Sequence, residues 1–253
     1  VVGFIINYNK LEVFKRCLKS LEPILEKIYI VDNASDYKPL LEYYGKIKSY
    51  KIQIIHNSPI KEPHHLEVLR YYIEKYKYGD YYLVTDSDIE LLYPELAIKA
   101  YVKVLKKFER INCVGAQLKI DNIPDDYPAK NSVLAYHYYF YNTKPYKYDN
   151  IYYRVAKIDT TLAVYRTEEE WERLEDMSIR CYYPFNALHL DWYITPQNMT
   201  ADQRYFLERS KNSRVSHWLG RYYRKSPYEY IPRTIWEVKG SPYDYKPVKI
   251  LLK

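Results

Sequence analysis

Glycine is scarce. The 253 residues hold six, Gly3, Gly45, Gly79, Gly115, Gly220 and Gly240, and no two lie closer than 20 positions. Phosphate-cradling loops need several residues without a Cβ in one short turn. Both GxGxxG and GxxxxGK are therefore excluded, and with them ordinary Rossmann dinucleotide binding and P-loop nucleotide hydrolysis. Cysteine is equally thin: Cys17, Cys113 and Cys181 are too scattered for a zinc knuckle or a CxxC pair. An odd, sparse count suits a reducing compartment, so a cytoplasmic location is expected. No apolar run reaches the length of a membrane span. The opening apolar stretch ends at Ile6, so no signal peptide is expected.

What is present is an ordinary core supply, 47% hydrophobic residues, which excludes global disorder. The net charge of +7 permits contact with an anionic ligand or, at most peripherally, a membrane surface. Basic residues are spread along the chain, and carboxylates at strand ends would repel a phosphate backbone, so nucleic acid is not an expected partner. The 34 tyrosines read as a compositional bias.

The first 120 residues alternate strand and helix. Val1 to Ile6 is a continuous apolar run, the mark of a strand buried on both faces. Asn9 is placed to cap the next helix, with Glu12 as its capping-box partner and Leu11, Phe14, Leu18 and Leu21 as its stripe. Ile28–Val31, Lys51–Ile55, Tyr81–Thr85 and Cys113–Leu118 read as further strands. Leu66, Leu69, Ile73 and Tyr76 share one helical face, and Pro94 opens another helix. This pattern predicts an α/β fold with a mostly parallel central sheet flanked by helices, whose ligands sit beyond the carboxyl ends of the strands. Residues 121–157 read as an irregular excursion and Ile158–Tyr165 as a strand. Thr167 with Glu170, and Thr200 with Gln203, read as capping boxes of two later helices. Residues 221–253 read as a C-terminal extension packed on the body or on a partner.

Three strands end in polar clusters: Asn7-Tyr8-Asn9, Asp32-Asn33-Ala34-Ser35 and Asp86-Ser87-Asp88. Two carboxylates two residues apart can converge on one hard cation, Mg²⁺ or Mn²⁺, which can neutralise a departing diphosphate. The same three residues also suit a solvated turn. Asp32 can accept hydrogen bonds from a ribose or a base, or can cap a turn.

Taken together, Phe4-Ile5-Ile6-Asn7-Tyr8-Asn9, Cys17-Leu18-Lys19-Ser20-Leu21, Ile30-Val31-Asp32-Asn33-Ala34-Ser35 and Asp86-Ser87-Asp88 resemble, in order and spacing, the opening of GT-A-fold glycosyltransferases, family 2-like. The resemblance covers about residues 1–120. It implies a GT-A, Rossmann-like domain over 1–220, with a nucleotide-sugar half at 1–120, an irregular acceptor-side half at 121–220, and the extension beyond. It implies a nucleotide-sugar donor, UDP by default, with Asn7, Asp32 and Asn33 near the nucleoside and Asp86 and Ser87 at the ribose and diphosphate. Asp86 and Asp88 would hold Mn²⁺ or Mg²⁺. Where family members carry Asn-x-Gly after the third strand, this chain has His56-Asn57-Ser58-Pro59, followed by His64 and His65 at a helix start.

In the later half the resemblance makes Asp191, in His189-Leu190-Asp191-Trp192-Tyr193, the base that takes the acceptor proton, although the family pattern there is Glu-Asp. It makes His217, in Ser216-His217-Trp218, a third metal ligand, with a half-buried His against Trp218 as the alternative. Arg204, Arg209, Lys211 and Arg214 are candidates to neutralise the diphosphate or to form a solvated face. Lys211 and Arg214 are preferred because they lead into His217. Asp159-Thr160-Thr161, Trp192 and Tyr193 would line the acceptor, a hydroxyl of a glycan or of a lipid- or protein-linked molecule. The expected activity is metal-dependent sugar transfer with inversion. A retaining transferase and a non-catalytic nucleotide- or sugar-binding module are the alternatives.

Overall fold

The structure is a computed structural model and describes residues 1–57, 65–142, 144–158, 161–210, 232–238 and 245–251. The chain runs β1 (Val2–Asn7), α1 (Glu12–Leu21), β2 (Lys27–Asp32), α2 (Lys38–Lys46), β3 (Ile52–His56), α3 (His65–Tyr76), β4 (Tyr81–Asp86), β5 (Ile89–Leu91), α4 (Pro94–Lys107) and β6 (Cys113–Ala116). The second half adds α5 (Lys130–Tyr141), β7 (Tyr146–Tyr148), β8 (Ile151–Val155), β9 (Leu162–Arg166), β10 (Ser178–Cys181), β11 (Ala187–His189), a 3-10 turn Leu190–Tyr193, α6 (Ala201–Ser210), β12 (Pro232–Val238) and β13 (Tyr245–Leu251).

Nine strands form one sheet in the order β3-β2-β1-β4-β9-β6-β10-β8-β7. β9 and β8 run against their neighbours and the other seven strands point one way. This is the mostly parallel, helix-flanked sheet expected. The apolar runs are continuous because alternate residues serve different faces. Ile5, Ile28, Ile30 and Leu83 pack under α1, α2 and α4. Val2, Phe4, Tyr29, Val31, Tyr82 and Val84 pack against Leu69 and Ile73 of α3 on the other side. Gly115 is required where β6 meets β9, because a Cβ there would stand 2.0 Å from the Leu162 carbonyl oxygen.

Three local expectations are corrected. Asn9 does not cap α1. It adopts φ +55°, and its side chain binds Asp36 and the amides of Asp36 and Tyr37. The α1 amides of Leu11 and Glu12 instead donate to the buried Asp202 carboxylate, at 2.7 and 3.0 Å. No helix starts at Thr167. Its amide donates to the Asp80 carbonyl, and Leu174 takes φ +61°, a backbone state that no α-helix contains. The segment 121–157 is not irregular, for it holds α5 and the β7–β8 hairpin. The helix was hidden because its core face, Val133, Leu134, His137, Phe140 and Tyr141, carries a buried histidine in the middle of the stripe. Thr200 does open α6, and its amide donates to the Gln203 side chain at 2.8 Å. In the C-terminal region β12 and β13 pair as an antiparallel hairpin, with β12 against α5.

Candidate active site

β1, β2 and β4 lie side by side, so their carboxyl ends bring Asn7, Asp32 and Asp86 to one edge. Asn7 pairs with Asp32 across β1 and β2, and Ile6 with Asp86 across β1 and β4. Asn7 Nδ2 donates to the Tyr44 hydroxyl at 2.8 Å and to the Lys10 carbonyl at 3.0 Å. The Tyr44 hydroxyl in turn donates to Asp32 Oδ1 at 3.1 Å. Asp32 also receives the Ser35 amide at 3.0 Å and the Ser35 hydroxyl at 2.5 Å, closing the turn on which Ala34 holds φ +60°. His56 Nδ1 stands 3.7 Å from Asp32 Oδ2. Asn33 Oδ1 accepts from Asn57 Nδ2 at 3.3 Å. Asp32, Ala34, Ser35, Tyr44, His56 and Asn57, with Ile54, line an open cleft of about 490 Å³. Asn7 Oδ1 is buried, with no hydrogen-bond partner among the described residues.

A second centre lies on the far side of Asn7. β5 and β11 form a small antiparallel ribbon in which Ile89 faces His189, and the Leu190 amide donates to the Asp88 carbonyl at 2.7 Å. That register sets Asp88 and Asp191 side by side. The Lys10 ammonium lies between them, 2.7 Å from Asp88 Oδ2 and 2.6 Å from Asp191 Oδ2, with its Nζ 4.9 Å above the Phe206 ring. His189 Nδ1 is 3.9 Å from Asp88 Oδ2, and its ring stacks on Trp192 with centroids 4.7 Å apart.

Burial works against the Asp88 carboxylate, but His189 and Lys10 outweigh it and hold Asp88 below the usual carboxylate range. Burial pushes Asp191 up, and the Asp88 charge beside it adds to the rise against the pull of Lys10. Lys10 is likewise opposed by burial, yet Asp191 and Asp88 raise it. Two acids in the same site are thus driven in opposite directions, the arrangement that separates a permanent carboxylate from a proton acceptor.

The structure therefore places Asp32 in the cleft, joins Asn7 to it through the Tyr44 hydroxyl and Asn33 to the cleft residue Asn57, and brings Asp88 and Asp191 to one cluster. Ser87 is buried in the turn between β4 and β5. Asp86 ends β4 and is half-buried, its carbonyl accepting from the Thr85 hydroxyl and the Cys17 thiol. All three cysteines are buried thiols. Lys211, Arg214 and His217 lie outside the described residues, as do Asp159, Thr160 and His64. Thr161 is described, and its carbonyl accepts from Thr85. Arg209 pairs with Asp36 at 2.9 Å on the surface of α6, and Arg204 is exposed. Sequence reasoning missed Lys10, Ser35 and Tyr44 as site residues. A lysine directly after a strand-end Asn-Tyr-Asn is the one trace it left.

Among the described residues no group of three or more His, Cys, Asp or Glu is placed to hold a metal ion. The donor set nevertheless fits a hard divalent cation. Asp88 Oδ1 is a buried oxygen that no N–H or O–H donor among the described residues reaches, and Asp88 Oδ2 already holds a cation, the Lys10 ammonium. Mg²⁺ and similar ions need only one or two carboxylates, the rest of the shell coming from water and substrate phosphates.

No family model matches this sequence, and no curated protein matches it. The fold matches solved structures. One is the mannosyltransferase PcManGT from Pyrobaculum calidifontis in complex with GDP-Man and Mn²⁺, at 10% identity and TM-score 0.46 over 75% of this chain and 56% of that one. Another is S. aureus TarS 1–349, at 14% identity and TM-score 0.41 over 66% of this chain and 46% of that one. A third is glucosyl-3-phosphoglycerate synthase from Mycobacterium tuberculosis with Mn²⁺ and UDP-glucose, at 17% identity and TM-score 0.35 over 53% and 48%. The chain spans about half the length of each. Among the described residues no helix is long and apolar enough to cross a membrane.

Proposed function

We propose that the chain is a glycosyltransferase that moves a sugar from a nucleoside diphosphate sugar to a hydroxyl acceptor with inversion. The observation that carries this reading is the pair Asp88 and Asp191, held side by side at the carboxyl edge of the sheet with opposite pKa shifts, next to the Asp32 cleft. The cleft takes the nucleoside. Ile54 and the His56 ring offer flat contact to a base, while Asp32, fixed by Ser35 and Tyr44, accepts from a base N–H or a ribose hydroxyl. A uracil base is the first expectation.

Asp86 and Asp88 would hold the divalent ion, with His217 as the expected third ligand; when bound, the ion supplies charge compensation to the diphosphate leaving group. Lys211 and Arg214 add positive charge on the same side. Asp191 accepts the proton of the acceptor hydroxyl as its oxygen attacks the anomeric carbon, and the bond from that carbon to the diphosphate oxygen breaks on the opposite face. A carboxylate raised by burial is suited to this, because its proton affinity lies nearer the working pH. Tyr193, half-buried in the 3-10 turn after Asp191, would border the acceptor; Trp192, expected there as well, is fully buried and stacks on His189 instead.

The test is Asp191→Asn. Transfer, followed by release of nucleoside diphosphate and by NMR of the product anomer, should fall by at least about 10²-fold, while titration calorimetry shows donor binding within a few-fold of wild type. Wild-type turnover in that variant would end the assignment of the base.

A further inference from the structure

The side chain at position 10 spans from the β1–α1 loop, over Phe206, to a site where, among the described residues, its ammonium alone lies between Asp88 and Asp191 at hydrogen-bond distance. The ammonium engages only one oxygen of Asp88: among the described residues no donor reaches the buried Asp88 Oδ1. A buried carboxylate oxygen without a partner is costly away from water, so Asp88 has acceptor capacity that the lysine leaves unused. The loop beneath is fixed, because Asn9 is tied to Asp36 and Tyr37 and the amides of Leu11 and Glu12 to Asp202. What can move is the four-carbon lysine stem, with its rotatable head.

We propose that Lys10 is a tethered counter-cation that occupies Asp88 until a divalent ion arrives, and that it competes with that ion. When the ion takes Asp88, like-charge repulsion drives the ammonium off Asp88 Oδ2, and it remains on Asp191 Oδ2, keeping the base in place. Lys10 is thus a positioning residue that sets how strongly the resting site binds metal. This rests on the transferase reading above, in which Asp88 is the metal-facing acid.

The test is direct Mn²⁺ binding, read from the EPR signal of free Mn²⁺ with MnCl₂ alone and then with UDP added, on wild type, Lys10→Met and Lys10→Arg. Removing the competitor should tighten Mn²⁺ about tenfold, the equivalent of one charge-assisted hydrogen bond no longer broken. Lys10→Arg, which keeps the charge, should stay within threefold of wild type. A lysine that only held the loop in place would, when replaced, loosen the site and weaken Mn²⁺ binding in both variants. A Lys10→Met gain below threefold overturns the proposal while leaving the transferase reading intact. Absence of Mn²⁺ binding in all three proteins, with and without UDP, overturns the metal assignment and this proposal together. Should Lys10→Met not fold, Lys10→Gln, which loses the charge but keeps a polar head, carries the same expectation.

Discussion

Asp202 stands at the start of α6 and caps a helix that begins 190 residues earlier. Its Oδ2 accepts from the amides of Leu11 and Glu12 at 2.7 and 3.0 Å, and its Oδ1 from the Thr200 hydroxyl. The side chain is almost wholly buried, so Asp202→Ala leaves two helix-terminal N–H groups without an acceptor or a route to water. Loss of a capping side chain costs about 0.5–2 kcal/mol. The interaction of a carboxylate with the helix dipole adds about 0.3–1 kcal/mol. A stranded, partly buried donor adds about 1 kcal/mol more. The expected total is about 3 kcal/mol, or roughly 6–12 °C in Tm for a chain of this size. Asp202→Asn keeps an acceptor at a position where Asn is a good cap, and should recover about half of this. The measurement is urea unfolding followed by far-UV circular dichroism, with thermal unfolding alongside. A change below 0.5 kcal/mol for Asp202→Ala, on the order of the noise for an unconnected surface site, would refute the idea that α6 anchors the loop carrying Lys10.

Gly115→Ala should cost at least about 3 kcal/mol or prevent folding: its Cβ would lie 2.0 Å from the Leu162 carbonyl and 2.8 Å from the Ala163 Cβ, so two strands must part. An unchanged Tm would contradict the β6–β9 packing. His137 is pushed well below its ordinary value by burial, with Arg180 and His189 adding to the shift. Its folded form therefore stays neutral where the unfolded chain is already protonated. Stability contributed by the neutral imidazole is full above the unfolded value of 6.5 and falls as the pH drops from there toward the folded value. His137→Leu should flatten the decline of unfolding free energy between about pH 6.5 and 5. An acid slope identical to wild type in that variant would contradict the assignment.

How much of this could be read from the sequence depends on how local the cause is. β1, β2 and β4 were legible because a strand buried on both faces must be apolar at every position, as in Val2–Ile6. Asp32 and Asp88 were legible because polar residues at the ends of such strands stand out. α5 was not, since His137 interrupts its stripe and its many tyrosines carry no clear polarity. Asn9 read as a cap from spacing alone, but a loop 27 residues later competes for its side chain. The acceptor of the α1 amides lies 191 residues away, and no local pattern reports it. The same holds for Lys10, whose two partners lie 78 and 181 residues on. Thr200 and Gln203 were legible as a box, yet the residue between them, Asp202, does the long-range work.

The β5–β11 ribbon limits how Asp88 and Asp191 can vary. The gap between Asp88 and Asp191 is fixed by backbone pairing, Ile89 against His189 and Leu190 against Asp88, rather than by side-chain reach. Point substitutions along either strand leave that separation standing. A single-residue insertion or deletion in the ribbon would turn one acid to the opposite face, so drift in length can accumulate in the loops on either side but not between these two positions and their strands.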